Sequence, residues 1–277
     1  MCFVIGSLPV ASHLPDAAAS EPGLVPAGAG LLIIALVNVA VIAALVTTSR
    51  WGGWRLAVSL ALAYYGAVTV LPQIETWFFL SSISVGRDLL LRLFVMGLPT
   101  AFVFVPLAVW ILGKSRAPRD MPRSPERDIP ARQWVWRLAV LAVAYVALYW
   151  IAGYFIAWQN PELRAFYGQP GDPLPFIEHT ANTLRGDPSI FALQFLRGLL
   201  WVLCALPILR GSRVGFWPTA LLVGMFFSLP QNVGQILANP LMPVASVRLS
   251  HMIETASSTF VFGLLVVWLL HEVNRET

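Results

Sequence analysis

Charged residues are scarce in this chain, and several long stretches contain none at all. Asp, Glu, Lys and Arg together make up 12% of the sequence, whereas soluble domains carry roughly 25%. The mean hydropathy is correspondingly high, at +0.72. A helix on the surface of a soluble protein needs a polar face toward water, and these stretches have none. The composition therefore excludes an ordinary soluble domain.

Lysine, cysteine and histidine are also rare, which excludes several functional classes. Lys114 is the single lysine and lies in a loop, so a retinal Schiff base in the last span is excluded. Cys2 and Cys204 lack metal-site spacing. His251 and Glu254 have the three-residue spacing of carboxylate-bridged sites, but no second pair accompanies them. We expect no metal, no cofactor and no catalytic residue.

Seven apolar stretches are each long enough to cross a bilayer, which requires about 20 predominantly apolar residues. The sequence therefore predicts an all-α polytopic membrane bundle. Six to eight transmembrane helices are compatible with it, and seven fits the alternation of charge between the gaps best. The predicted spans are 29–48, 55–79, 88–112, 134–157, 189–209, 214–230 and 250–270.

Basic residues accumulate in every second gap between these spans, twelve on one side against five on the other. The positive-inside rule then places the N-terminus outside and the C-terminus in the cytoplasm. Residues 1–28 are interpreted as an extracytoplasmic tail, disordered or interfacial, and 29–277 as one membrane domain. The long loop 113–133 is expected in the cytoplasm. The long loop 158–188 is expected outside, with a short helix over 174–185.

The residue composition and the distribution of the basic residues indicate the environment and the partners of the protein. Abundant Arg and Ala beside a single Lys indicate a bacterial inner membrane. The basic residues form no stripe interleaved with aromatic residues, so nucleic acid is not an expected partner. The lipid bilayer is the expected environment, and a small polar solute is the candidate ligand.

Spans one to three and five to seven share a common plan. In each half an apolar span ends at arginines in a short Trp-bearing turn, at 49–55 and at 210–217. The following span closes with Leu-Pro-Gln, at 71–73 and at 229–231. This pattern predicts a 3+1+3 parallel repeat, an arrangement that recurs among transporters.

The layout resembles that of the SWEET and PQ-loop sugar and amino-acid carriers, with a Pro-Gln pair in each half. In that family the Pro-Gln pair belongs to the first helix of each triplet, whereas here it closes the second. The resemblance therefore implies a membrane carrier and transfers no functional residue to this sequence.

Arg197 is the clearest candidate functional residue because it lies inside a predicted span, where charge is costly. Gln194 lies one turn earlier on the same helix face. The structural alternative is that Arg197 pairs with a carboxylate or with carbonyl groups and holds the bundle together. An arginine facing a water-filled cavity would favour transport, whereas one sealed against a carboxylate would favour a scaffold.

Other polar residues are expected at the outer ends of spans two, three, six and seven, where they would form an outward-facing vestibule. Arg248, His251 and Glu254 share one helix face through their i, i+3 spacing. Glu75 and Glu254 are the carboxylates expected to neutralise nearby arginines; ordinary interfacial residues are the alternative. The remaining candidates are Gln73, Arg92, Gln231, Asn232 and Gln235.

These features favour a carrier or permease for a small polar solute. One alternative is a non-catalytic membrane sensor or assembly partner that docks through loop 113–133 or loop 158–188. Another is a membrane-embedded enzyme that acts on lipid, with His251 and Glu254 lining a groove open to the bilayer.

Overall fold

The computed structural model describes residues 1–14, 20–81, 83, 85–116 and 131–271. Within these ranges the chain is helical, and Ser49 and Ser212 form an isolated antiparallel bridge. The helices are α1 (Cys2–Ala11), α2 (Ala27–Thr47), α3 (Gly53–Leu80), α4 (Arg87–Ile111), α5 (Arg132–Ala157), α6 (Pro161–Phe166), α7 (Phe176–Gly186), α8 (Ser189–Gly211), α9 (Phe216–Asn232) and α10 (Ala245–Leu270).

The predicted all-α polytopic bundle is confirmed. Six helices are long and apolar enough to cross a membrane, namely α2, α3, α4, α5, α8 and α10. The remaining predicted span corresponds to α9, a helix of 17 residues. At 1.5 Å per residue this helix is about 25 Å long, at the lower end of what crosses a bilayer. The count of seven spans therefore remains a prediction.

The most extensive helix contact joins α9 to α10, and small residues bring the two backbones together. A Cβ atom added to Gly263 would lie 2.7 Å from the Cα of Gly224. Without a hydrophobic driving force between helices in lipid, close backbone approach through small residues supplies the packing energy. These two glycines therefore fix the distance between α9 and α10.

The core lies where α5, α8, α9 and α10 meet. The Trp201 indole donates a 3.0 Å hydrogen bond to the Tyr145 hydroxyl, and both side chains are buried. The rings of Phe227 and Phe262 pack against Trp201 and Tyr145, respectively. Since both polar atoms of the Trp201–Tyr145 pair are satisfied, the two large rings can be buried at little polar cost.

At one face of the bundle, the turn after α2 pairs with the turn after α8. The Arg50 amide donates to the Gly211 carbonyl at 2.7 Å, and the Arg213 amide donates to the Thr48 carbonyl at 3.0 Å. These turns occupy corresponding places in the two halves of the predicted repeat, although the repeat itself remains a prediction. Residues 117–130 of the predicted cytoplasmic loop lie outside the described residues.

The opposite face, here called the 158–188 face, carries α6, α7 and the N-terminal segment. The short helix predicted over 174–185 is confirmed as α7. Of the predicted disordered or interfacial tail, residues 1–14 and 20–28 are described, and within them α1 is a helix that packs on α4. The segment then crosses this face, where the Leu24 amide donates to the Ile236 carbonyl at 2.8 Å.

Candidate functional site

An ion pair between α3 and α8 forms the centre of the candidate site. The Arg197 Nη2 atom lies 2.6 Å from the Glu75 Oε2 atom, and the side chains are 3% and 25% exposed, respectively. Arg197 is eight residues from the start of α8, a depth of about 12 Å along the helix. The charge of Arg197 is thus neutralised inside the bundle. Of the two side chains in the pair, that of Glu75 is the one partly exposed at the surface of the bundle.

Gln194 completes the polar face of α8 in the way its spacing predicts. Its Oε1 atom accepts a 2.7 Å hydrogen bond from Arg197 Nη1, and its side chain is buried. Within the described part of the chain, the Arg197 Nε and Gln194 Nε2 groups are buried and have no hydrogen-bond acceptor. A buried donor without an acceptor costs about 1–3 kcal/mol. The site therefore holds two donors that a polar ligand or a water molecule could satisfy.

A second polar pair lies on α10. The His251 Nδ1 atom is 3.0 Å from Glu254 Oε2, with the side chains 20% and 5% exposed, respectively. The other ring nitrogen, Nε2, is hydrogen-bonded to the Tyr167 hydroxyl at 3.0 Å. Tyr167 follows α6, and burial followed by the charges of Glu75 and Glu254 raises the pKa of its phenol. The phenol is therefore neutral at physiological pH and joins His251 to the 158–188 face.

The two pairs belong to one cluster. Glu75 lies close enough to His251 and Glu254 to interact with both electrostatically. From α5, the Tyr145 ring lies beneath the Arg197 guanidinium, with 5.9 Å between the ring centroid and Cζ. Tyr149, one turn further along α5, interacts electrostatically with both carboxylates and with Arg197. Four helices, α3, α5, α8 and α10, therefore contribute to a single polar cluster.

Two of these helices contain a π-helical turn close to the cluster. In α3 the π turn Gly66–Val70 ends five residues before Glu75. In α5 the π turn Gly153–Ala157 begins at a glycine whose added Cβ atom would lie 3.5 Å from Glu254 Oε1. Single π turns inside α-helices occur frequently at functional sites. One of them lies in the helix that carries Glu75, and the other lies in the helix that faces Glu254.

Two of the predicted arginines are engaged elsewhere. The Arg248 side chain is buried and donates hydrogen bonds of 2.8–3.1 Å to four backbone carbonyls, those of Glu21, Pro22, Met242 and Pro243. Arg92 donates a 3.2 Å hydrogen bond to the carbonyl of Pro9, in α1. Both guanidinium groups therefore connect the N-terminal segment to the bundle. The structure does not bring either one to the Arg197–Glu75 pair.

Three of the predicted amide residues lie in α9 or in the turn that follows it, and Gln73 lies in α3. Gln231 and Asn232 donate to carbonyls one turn earlier in α9, at 2.6 and 2.7 Å. Asn232 also accepts a hydrogen bond from Thr255 of α10. The Oε1 atoms of Gln73 and Gln235 are buried, and no donor among the described residues reaches them. These amides lie at the same end of their helices as the cluster.

Tyr145, Tyr149 and Tyr167 were not among the residues singled out from the sequence. Tyr145 and Tyr149 could have been found, because they are spaced i, i+4 on an otherwise apolar span and so share one face. Gly153 continues the same face by another four residues. Tyr167 gave no such signal, since its contact with His251 joins residues 84 positions apart.

No protein-family model matches this sequence, and no curated protein or solved structure matches it significantly. The function must therefore be argued from the cluster itself. Its buried chemistry comprises a guanidinium group, two carboxylates, an imidazole, three phenols and an amide. Such a set can bind a polar or charged solute and can exchange a proton.

Proposed function

We propose that this multi-pass membrane protein is a carrier for a small polar solute and that the cluster around Arg197 and Glu75 is its binding site. The two buried donors without acceptors, Arg197 Nε and Gln194 Nε2, are the observation that carries the proposal. Both are within one helical turn, so one ligand with a pair of acceptor atoms could satisfy both. Buried charge is costly in a bilayer, and this cost favours a functional reason for its presence.

The positive-inside rule supports an orientation in which the 158–188 face is outside the cell. In this orientation α9 is the sixth of seven spans, and the protein belongs to a bacterial inner membrane. A solute would then reach Glu75 from outside, because this carboxylate keeps a quarter of its side chain exposed. In this proposal, the close packing around the buried Arg197 side chain represents the occluded conformation of the carrier.

Solute flux tests the proposal. Purified protein in proteoliposomes is offered radiolabelled amino acids, monosaccharides and short organic acids, singly and in counterflow. We expect uptake of one class by the wild type and its loss in Arg197→Gln/Glu75→Gln, which carries no net charge change. Arg185→Gln/Glu178→Gln is the matched control, since it removes an exposed pair of charges from α7. Absence of flux for every class would contradict the proposal.

A second candidate function is a non-catalytic sensor or assembly partner. It is favoured by the direct contact between Arg197 and Glu75, because an arginine sealed against a carboxylate is what a scaffold requires. In that case the neutral double variant should retain every cellular phenotype while the protein copurifies with a stoichiometric partner. Flux that depends on Arg197 would exclude it.

A further inference from the structure

The buried cluster contains one more acidic group than it has permanent positive charges. Arg197 carries one positive charge, and the carboxylates of Glu75 and Glu254 carry one negative charge each when ionised. Arg197 is bonded to Glu75 and makes no hydrogen bond to Glu254. Because an uncompensated charge is unfavourable in a low-dielectric interior, the missing positive charge must come from a bound proton.

His251, the hydrogen-bonded partner of Glu254, is placed to pass that proton to the carboxylate. His251 is bonded to Glu254 through Nδ1 and to Tyr167 through Nε2, both at 3.0 Å. The ring thus bridges a buried carboxylate and a phenol at the 158–188 face. Its side chain is 20% exposed, whereas that of Glu254 is 5% exposed. Of the two groups, the imidazole is therefore the more accessible to solvent.

The groups that face Glu254 define the electrostatic setting of this proton. His251 lies on the same helix as Glu254 and is hydrogen-bonded to it. Other elements packed around Glu254 also contribute titratable or charged groups that interact with it. These groups are Glu75 of α3, Tyr145 and Tyr149 of α5, Tyr167 after α6, and Arg197 of α8. The phenols remain neutral at physiological pH, so the charge balance is decided by Arg197, the two carboxylates and His251.

We propose that the His251–Glu254 pair is a proton-binding site loaded from the 158–188 face, with Tyr167 positioning the imidazole. A hydronium ion gives its proton to Nε2 of neutral His251 and leaves as water. The imidazolium then gives its Nδ1 proton to Oε2 of Glu254. The products are a neutral imidazole and a protonated carboxyl group, so one proton has moved and the charge is conserved.

Loading this proton also changes the field at the ion pair. With Glu254 neutral, Arg197 and Glu75 balance each other, and the cluster carries no net charge. When the proton leaves, the cluster gains a negative charge that acts on Glu75 and Arg197. The link between proton binding at Glu254 and the Arg197–Glu75 pair rests on the proposed function, in which the proton is the coupling ion of the carrier. The proton site itself does not depend on transport.

Infrared difference spectroscopy of the protein in lipid nanodiscs tests the proposal without any solute. As the pH is raised, we expect the wild type to lose the carbonyl band of one protonated carboxyl group. The band should be missing at every pH in Glu254→Gln, whose amide mimics the protonated acid. It should be unchanged in Glu178→Gln, which alters an exposed acid on α7. Identical difference spectra for the wild type and Glu254→Gln would overturn the proposal.

Two further variants keep the test decisive if Glu254→Gln fails to fold. Tyr167→Phe retains the ring but removes the hydrogen bond to His251, so the midpoint of the Glu254 band should shift. His251→Gln removes the bridging base, so proton exchange at Glu254 should slow by more than tenfold after a pH jump. A purely structural role would leave the midpoint and the exchange rate of any folded variant unchanged, and that result would contradict the proposal.

The outcomes for the proton site and for transport are separable. A titrating Glu254 band in a protein that moves no solute would retain the proton site and exclude the carrier. Solute flux in a protein whose difference spectra do not depend on Glu254 would retain the carrier and exclude the proton site.

Discussion

Arg197 and Glu75 are 122 residues apart in sequence, yet their side chains form a 2.6 Å ion pair that joins α8 to α3. Removing one partner leaves a buried charge uncompensated, which costs about 3–5 kcal/mol for a fully buried pair. Because the Glu75 side chain is 25% exposed, we expect the cost of breaking this pair to lie near the lower end of that range.

A double-mutant cycle measures this relationship. We expect Glu75→Gln and Arg197→Gln each to lower the melting temperature in detergent. The decrease in the double variant should be smaller than the sum of the two single decreases. The physical reason is that the double variant buries no lone charge. Strictly additive shifts would show that the two side chains do not depend on each other.

Gly263 should tolerate no larger side chain. In Gly263→Ala the new Cβ would meet the backbone of Gly224 and Val223 at 2.7–3.0 Å, so α9 and α10 must separate. We expect a destabilisation of about 1–3 kcal/mol, which is typical of overpacking, measured as a lower melting temperature. Gly28→Ala in α2 is the control because an added Cβ there meets nothing within 4 Å. Equal stability of the two variants would refute the close contact.

Arg248 should hold the N-terminal segment against the bundle. Arg248→Met removes four hydrogen bonds to carbonyls, two of them on Glu21 and Pro22. Because hydrogen bonds to charged groups are worth about 1.5–3 kcal/mol each, we expect hydrogen exchange at residues 20–24 to accelerate by roughly tenfold or more. Arg87→Met, at an exposed arginine of α4, should leave that exchange unchanged. Equal protection in both variants would exclude the role of Arg248.

His179 should make the stability of the 158–188 face depend on pH. Its ring is stacked 5.2 Å from Trp150, and burial lowers the pKa of the imidazole. The native state therefore favours neutral His179, whereas the unfolded chain takes up a proton below about pH 6.5. Stability should fall as the pH drops through 6.5 toward the lower native value.

His179→Phe provides the comparison, since it keeps an aromatic ring beside Trp150 and cannot titrate. We expect the melting temperature of the wild type to decrease more steeply below about pH 6.5 than that of the variant. Parallel pH profiles would show that His179 does not contribute.

The sequence predicted the helices well because each long apolar run must satisfy its backbone hydrogen bonds internally in lipid. It also placed Arg197 and Gln194 on one face, because that relation depends only on helical spacing. The choice of Glu75 as the partner of Arg197 depends on how α3 and α8 pack, which a single sequence does not encode locally. Likewise, Arg248 could contact either the cluster or a loop, and only the fold directs it to the carbonyls of Glu21 and Pro22.

The central claim is that the Arg197 cluster opens to water rather than remaining a sealed scaffold. Cysteine accessibility tests it most directly, with Cys2→Ala/Cys204→Ala as the background. In intact vesicles, Gln194→Cys in that background should react with a membrane-impermeant thiol reagent, whereas a protein retaining only Cys204, on the same helix and buried in the core, should not. Reaction of the cysteine at position 194 no faster than Cys204 before denaturation would contradict the account.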